Sequence, residues 1–271
     1  MQKLNAEGCD LMKKGAQGVF LWLLTLLLLV LQISADTGAV SWYTVRNKAH
    51  RQPIFGEDLR IVEKYNGFFI DRAHSTQEGD KVVYLTFDAG YENGNVAKVL
   101  NVLREKEVSA AFFVLKHLVT SNPDLILRMR KEGHAVCNHT ATHADLSLAS
   151  KDRIKGEIQT LEACYSALTG EEMAKYFRPP EGKFSLDMLE CVKDLGYKTV
   201  FWSFAYADWD NNNQPSRQKA LQCIMDNIHN GAVILLHPTS ATNAEVLPVV
   251  IDELRAQGYR FGTLEELCDG S

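Results

Sequence analysis

The sequence lacks the patterns that identify several common functional classes. Its six cysteines include no C-x-x-C pair, which argues against a zinc ribbon and a thioredoxin-type redox site. It has no long basic run and its formal net charge is -5, so nucleic acid is not an expected partner. No internal repeat or low-complexity segment stands out in its 271 residues, a length that suits one large domain or two small ones.

The N-terminus has the order of residues that is typical of a secretory signal. Lys13 and Lys14 precede an apolar run at 19–33, and Ser34 and Ala35 follow it. The run is short for a membrane span, which needs about 20 apolar residues, although an uncleaved anchor stays open. We therefore predict that residues 1–35 are a signal peptide or a membrane anchor. An anchor would associate the protein with the membrane. The rest of the chain is expected outside the cytoplasm, either secreted or membrane-anchored.

Short apolar strands and amphipathic helices alternate from Lys81 to the C-terminus. The strand at 82–87 and the helix at about 95–106 are followed by strand 109–115, helix 123–132, strand 134–138, helix 150–169, strand 176–178, helix 185–195, strand 198–203, helix 216–229, strand 232–236, helix 243–257, strand 259–261 and helix 263–268. Right-handed crossovers then predict an α/β fold with a parallel sheet covered on both faces. Closure into a barrel suits this length, with an open doubly wound sheet as the alternative. Residues 36–80 are interpreted as an N-terminal lead-in with a short helix near 57–65, and residues 81–271 as the main domain.

Polar residues recur at the carboxyl ends of the predicted strands. They are Asp88, His139, His143, Arg178, Asp208, Trp209 and His237. Because all strands of a parallel sheet end on the same side, these side chains are expected to meet at one rim. Each has an ordinary structural explanation as well: a helix cap for Asp88, a surface ion pair for Arg178, a turn residue for Asp208 and a buried, hydrogen-bonded histidine for His237.

Two of these residues are a metal-ligand pair by type. Neutral imidazole suits zinc and similar divalent ions, so His139 and His143 are candidate ligands, although H-x-x-x-H also arises by chance. A thermolysin-like site needs Glu after the first histidine, and Thr140 stands there instead. Cys137 precedes the pair by two residues and is either a third ligand or a buried thiol.

Five motifs in order resemble the polysaccharide deacetylases, the NodB-homology domain of carbohydrate esterase family 4. They are Thr86-Phe87-Asp88-Ala89-Gly90 for T-F-D-D-G, His139-Thr140-Ala141-Thr142-His143 for H-[ST]-x-x-H, Arg178-Pro179-Pro180-Glu181-Gly182 for R-P-P-x-G, Asp208-Trp209 for the end of D-x-x-D-W, and Leu235-Leu236-His237 for the last motif. The resemblance runs from about Val82 to Leu267. The stretch Tyr91-Glu92-Asn93-Gly94 makes it closest to the delta-lactam-forming muramic acid deacetylases of spore-forming bacteria.

This resemblance implies a distorted (β/α)7 barrel and a role for each motif residue. Asp88 would be the catalytic base, paired with Arg178, and His237 the catalytic acid, paired with Asp208. His139 and His143 would hold a divalent metal ion, most often zinc in such a site. Substrate contacts would come from Tyr91, Glu92, Asn93, Glu181 and Trp209. The family usually has a metal-ligating Asp where Ala89 stands, which implies weaker metal binding here.

The resemblance also implies the substrate, which is peptidoglycan. The chain would remove the N-acetyl group from muramic acid residues, leading to muramic delta-lactam in the spore cortex. Two alternatives stay open: a deacetylase of chitin or xylan oligosaccharides, and a wall-glycan-binding homologue that has lost catalysis.

Overall fold

The computed structural model describes residues 38–76 and 79–269 of the chain. The predicted signal peptide or anchor, 1–35, lies outside the described residues, and the predicted domain boundaries stay predictions. Within the two described ranges, no helix combines the length and the apolar character needed to cross a membrane.

The strands follow one another along the chain much as the apolar runs predict. They are β1 (Val40–Ser41), β2 (Gly67–Phe68), β3 (Lys81–Ala89), β4 (Ala111–Val114), β5 (Ala135–Asn138), β6 (Ala174–Phe177), β7 (Lys183–Phe184), β8 (Lys198–Val200), β9 (Phe204–Ala205), β10 (Ala232–Leu236) and β11 (Tyr259–Phe261). Nine of them form one parallel sheet in the order β2-β8-β6-β5-β4-β3-β10-β9, with β11 beside Lys81–Val83 at the start of β3. The other two, β1 and β7, form an antiparallel pair.

Helices connect most of these strands and cover the outside of the sheet. They are α1 (Glu57–Arg60), α2 (Val96–Glu105), α3 (Lys116–Ser121), α4 (Pro123–Lys131), α5 (Lys151–Thr169), α6 (Leu186–Asp194), α7 (Arg217–Asn227), α8 (Ala241–Ala256) and α9 (Leu264–Asp269), with 3-10 turns at Ile61–Tyr65 and Pro180–Gly182. Four of the helices begin after a serine whose hydroxyl accepts a hydrogen bond from the backbone three residues on: Ser150, Ser185, Ser216 and Ser240.

Strand β3 explains how the sheet curls around an interior. Val83, Leu85 and Phe87 lie in the main hydrophobic core with residues of the covering helices such as Val99. Val82 and Tyr84, on the opposite face, join a second cluster with Phe113 and Val233 inside the curl. Burial on both faces requires an unbroken apolar run, which is what the sequence has. Each such side chain stabilises the fold by about 1.5–3 kcal/mol, so β3 is a major part of the core.

The predicted distorted barrel is confirmed, and the structure shows where it is distorted. The predicted strand 198–203 is wrong beyond Val200: the chain leaves β8 and crosses to the far edge of the sheet, where β9 pairs with β10. In the crossing segment Phe201 N–H donates to the Phe68 carbonyl, and Ser203 N–H donates to the Val233 carbonyl. The described edge strands β2 and β9 are therefore linked through this segment rather than by a ladder of hydrogen bonds.

The lead-in packs against this crossing segment. Trp42 stacks on Phe201 with ring centroids 4.4 Å apart, and its indole Nε1–H donates to the Trp202 carbonyl at 2.9 Å. Phe55 and Phe69 complete the aromatic cluster. The scattered aromatic residues of the lead-in thus hold the crossing segment in place from outside.

Candidate active site

The carboxyl ends of the strands surround a cleft of about 760 Å³, lined by Asp88, His139, His143, Glu181, Trp202, Ala205, Tyr206, Ala207, Trp209, Leu235 and His237. Six of the residues predicted from the sequence are in this lining. Arg178 and Asp208 lie behind it, each bonded to a residue that is in it. The side chains at the strand ends therefore lie together around one cleft.

Asp88 is held by a buried guanidinium group. Arg178 Nη1 donates to Asp88 Oδ1 at 2.8 Å, and the Asp88 side chain is 10% exposed. Burial alone would raise the pKa of Asp88, but the positive charge of Arg178, with smaller contributions from His139 and His237, outweighs it. The pKa of Asp88 consequently lies below its ordinary value, and the carboxylate is ionised at neutral pH.

Arg178 also fixes the geometry of the barrel around Asp88. Its side chain is fully buried, with Nε donating to the Val200 carbonyl at 2.9 Å and Nη2 to the Thr86 hydroxyl at 2.9 Å. The guanidinium lies over the Phe113 ring, 4.1 Å from its centroid. Since all three nitrogens of the guanidinium group donate to fixed partners, Arg178 orients Asp88 as well as keeping it charged.

The two histidines of the H-x-x-x-H motif lie side by side next to Asp88. Their ring centroids are 5.0 Å apart at an angle of 72°. His139 is buried, whereas His143 is exposed to the cleft. The turn between them is held by Glu157, whose carboxylate accepts hydrogen bonds from the backbone N–H and the hydroxyl of Thr142, both at 2.9 Å.

The state of His139 fits a metal ligand. Burial lowers its pKa to about 4, so the ring is neutral at pH 7. Its Nδ1 lies 2.8 Å from the Arg178 carbonyl and must be the protonated nitrogen, which leaves the lone pair on Nε2. That Nε2 lies 3.5 Å from Asp88 Oδ2, so nitrogen and carboxylate face the same space.

The candidate ligands are fewer than the protein ligands of most catalytic zinc sites. No cluster of three His, Cys, Asp or Glu side chains able to hold a metal ion occurs within 38–76 and 79–269, whereas catalytic zinc usually has three protein ligands. Cys137 is buried in the apolar interior cluster, as the thiol alternative predicts. Ala89 lies with Phe87 in the main hydrophobic core, on the face of β3 opposite to Asp88. The residues present fit an ion held by two imidazoles with water completing its coordination.

On the other side of the cleft, His237 is bonded twice to Asp208. Its Nδ1 lies 2.7 Å from Asp208 Oδ1, and its backbone N–H donates to Asp208 Oδ2 at 2.8 Å. Burial lowers the pKa of His237, but the hydrogen bond and negative charge of Asp208 raise it by more, and the resulting pKa lies above the ordinary value. With Nδ1 occupied, Nε2 is the nitrogen available to a molecule in the cleft.

The predicted substrate-contact residues divide into two groups. Glu181 and Trp209 line the cleft, and Trp209 is 65% exposed. The other three, Tyr91, Glu92 and Asn93, are not part of its lining. The Tyr91 hydroxyl accepts a hydrogen bond from Asn211, while Asn93 Nδ2 donates to the Thr239 carbonyl at 2.8 Å. This stretch therefore ties the loop after β3 to the loops after Asp208 and His237.

Two residues that support the site carry no recognisable signal in the sequence. Glu157 lies in the middle of α5, and Asn243 lies in the first turn of α8, where both resemble ordinary polar helix residues. Only the folded chain brings Glu157 to the turn after His139 and Asn243 to Asp208.

The chain is similar in sequence and in structure to known proteins. The family profile for polysaccharide deacetylase matches residues 75–200. The chain is 41% identical over 229 residues to peptidoglycan-N-acetylmuramic acid deacetylase PdaA of Bacillus subtilis. The aligned residues cover 84% of this chain and 85% of that protein. It is 32% identical to a peptidoglycan-N-acetylglucosamine deacetylase of Bacillus cereus over 69% of this chain and 88% of that protein. The solved structure of PdaA, a family 4 carbohydrate esterase, superposes with a TM-score of 0.81 and 39% identity, covering 86% of this chain and 98% of that one.

Proposed function

Because the chain belongs to the polysaccharide deacetylase family, carbohydrate esterase family 4, we propose that it hydrolyses the N-acetyl group of muramic acid residues in peptidoglycan. The substrate is inferred from the 41% identity to a deacetylase of N-acetylmuramic acid. One observation supports the chemistry most: Asp88, whose pKa is lowered, and His237, whose pKa is raised, line the same cleft as the histidine pair.

In the proposed reaction Asp88 is the general base. It takes a proton from a water molecule whose oxygen attacks the acetamide carbonyl carbon. Arg178 keeps the carboxylate ionised and aimed into the cleft, so that the base is ready at neutral pH. The backbone N–H of Glu181, at the wall of the cleft, is assigned to the developing oxyanion.

His237 is the general acid of the same reaction. The C–N bond of the tetrahedral intermediate breaks, the electron pair goes to nitrogen, and His237 Nε2 gives that nitrogen its proton. Acetate and a free amine are the products. Asp208 makes the imidazolium form available near neutral pH because its charge and hydrogen bond raise the pKa of His237.

Family members are generally metal-dependent, and we assign His139 and His143 as the protein ligands of a divalent ion, zinc by preference. When bound, such an ion lowers the pKa of water and polarises a carbonyl group. The neutral ring of His139, with its lone pair on Nε2, supports this assignment.

The place of action follows from the substrate. Peptidoglycan lies outside the cytoplasm, which agrees with the export predicted from residues 1–35. We further propose that the amine freed on muramic acid condenses with the lactyl carboxylate of the same sugar, releasing water and closing a delta-lactam.

The test is a mass-spectrometric assay on defined glycans. The purified protein is incubated with peptidoglycan whose stem peptides have been removed by an amidase, and the muramidase fragments are examined for acetyl loss. We expect loss from muramic acid, none with Asp88→Asn, and none after chelation of the metal. Acetyl loss from a chitin oligomer with muramic acid intact would contradict the proposed substrate. Glycan binding without acetyl loss from any glycan would favour the inactive homologue.

A further inference from the structure

Asn243 holds both partners of the Asp208–His237 pair. It is 1% exposed, and its Nδ2 donates to Asp208 Oδ2 at 2.5 Å and to the His237 carbonyl oxygen at 3.1 Å. Its Oδ1 accepts a hydrogen bond from the Tyr206 hydroxyl. Two acceptors on one side and one donor on the other allow a single orientation of the amide, so this orientation is determined by its partners.

These contacts restrict how the Asp208 carboxylate can turn. Oδ2 accepts from the amide of Asn243 and from the backbone N–H of His237, and the carbonyl of the same His237 accepts from Asn243. The three residues thereby form a closed ring of hydrogen bonds. Oδ1 is the oxygen left over, and it points at His237 Nδ1.

Neighbouring contacts keep Asn243 itself in place. Its backbone N–H donates to the hydroxyl of Ser240, the residue that caps α8. Gln214 bonds to that same hydroxyl and donates to the Asp208 carbonyl at 2.8 Å. The start of α8 and the loop after Asp208 are therefore joined, and the amide has little freedom to follow a moving carboxylate.

From this geometry, and resting on the proposed function, we infer that Asn243 is a positioning residue. It sets the Asp208 carboxylate so that Oδ1 meets Nδ1 of His237, and it acts on the reaction through that pair without touching the substrate. Without the amide, Asp208 would be held by one hydrogen bond fewer and could turn about its last side-chain bond.

The charges around His237 define what a loss of positioning would do. Asp208 and Asp88 raise the pKa of His237, while burial and Arg178 lower it. Turning Oδ1 away from Nδ1 weakens the contribution of Asp208 and leaves the others in place. The pKa of His237 would then move down toward its ordinary value, and less of the acid would be protonated above neutral pH.

The test compares Asn243→Leu, which keeps the branched shape of the side chain and removes the hydrogen bonds, with Thr242→Val as a matched control. Thr242 lies in the same turn of α8, is buried, and its hydroxyl donates to the Pro215 carbonyl at 2.9 Å rather than to Asp208 or His237. Asn243→Ala is the second variant, because it removes the donor without adding bulk. Circular dichroism establishes that each variant is folded.

For Asn243→Leu we expect kcat for muramic acid deacetylation to fall about 10- to 100-fold, with KM within about twofold, because only part of the general-acid contribution is lost. The alkaline limb of kcat should move to lower pH. In the Asp208→Asn background the same change should cost less than about threefold, since residues acting through one partner are not additive. Thr242→Val should leave kcat and the alkaline limb unchanged.

A second readout needs no substrate. In protein with 15N-labelled histidine, the ring nitrogens of His237 are followed by NMR against pH and assigned with His237→Gln. Asn243→Leu should shift this titration to lower pH, and Thr242→Val should not. A folded Asn243→Leu protein with unchanged His237 titration would overturn the inference, as would full multiplication of the two losses in the double variant. Absence of muramic acid deacetylation in the wild type would instead refute the proposed function alone.

Discussion

Asp208→Asn should weaken the proposed general acid, His237, while leaving the fold around it nearly unchanged. The Asp208 side chain is 1% exposed, with Oδ2 accepting two N–H donors and Oδ1 facing Nδ1 of His237. An amide fits the same place if its oxygen takes the Oδ2 position and its NH2 group faces Nδ1. In that arrangement the ring must accept at Nδ1, which holds it neutral with the proton on Nε2.

The size of the effect follows from what is lost and what is kept. All of the hydrogen bonds to Asp208 have counterparts in the variant, so we expect the free energy of unfolding at pH 6 to change by less than about 1.5 kcal/mol. Burial, which lowers the pKa of His237, would then act without the carboxylate of Asp208, and only the smaller contribution of Asp88 would oppose it. General acid catalysis contributes about 10²- to 10⁴-fold, so kcat at pH 7 should fall within that range.

Two measurements check this reasoning. The pH profile of kcat in the wild type should fall on the alkaline side at the raised pKa of His237, and in Asp208→Asn that limb should move to acidic pH. Because a raised folded pKa stabilises the protein below the unfolded value of about 6.5, wild-type stability should decline as pH rises through the folded pKa. Urea unfolding of the variant should lack this decline. A variant with kcat within threefold of the wild type at pH 7 would refute the reasoning that Asp208 makes His237 available as the acid.

Three further predictions concern the buried charges and the metal. Arg178→Met should lower the free energy of unfolding, measured with urea, by at least about 3–5 kcal/mol, because it leaves Asp88 buried without its partner. Adding Asp88→Asn should restore part of this loss. If the two losses of stability simply add, the pairing of Arg178 with Asp88 is contradicted. Burial lowers the pKa values of His134 and His229 to about 4. The free energy of unfolding should therefore fall by up to about 3 kcal/mol per histidine as the pH falls from 6.5 to 4. His229→Gln should flatten that pH dependence, and an unchanged slope would count against it. His143→Ala should weaken zinc binding more than tenfold by calorimetry and abolish deacetylation, whereas unchanged affinity would exclude this histidine as a ligand.

The sequence predicted those parts of the site that depend on the ends of strands. Asp88 and His237 each follow an apolar run long enough to be recognised, and parallel strands bring such ends together by topology alone. The pairing of Arg178 with Asp88 was expected from the motifs, and the structure contains it.

The parts that the sequence left open depend on contacts between distant segments. The run at 198–203 has the apolar residues of one continuous strand. The strand nevertheless ends at Val200, because the chain crosses from β8 to the far edge of the sheet, where β9 pairs with β10. Helix α3 has six residues, too few for a hydrophobic repeat to be visible. Asn243 meets Asp208 across 35 positions of sequence, and neither residue type nor spacing indicates that contact.

The buried position of Arg178 bears on how relatives of this chain could lose activity. As long as Arg178 is present, its buried charge needs a carboxylate opposite it, so the folding requirement itself would preserve Asp88 in a lineage that had lost activity. His143 is under no such constraint, because it is exposed at the mouth of the cleft. Loss of catalysis would thus be expected to appear at His143 before the aspartate–arginine pair, and the presence of that pair in a homologue is poor evidence that the homologue is still an active enzyme.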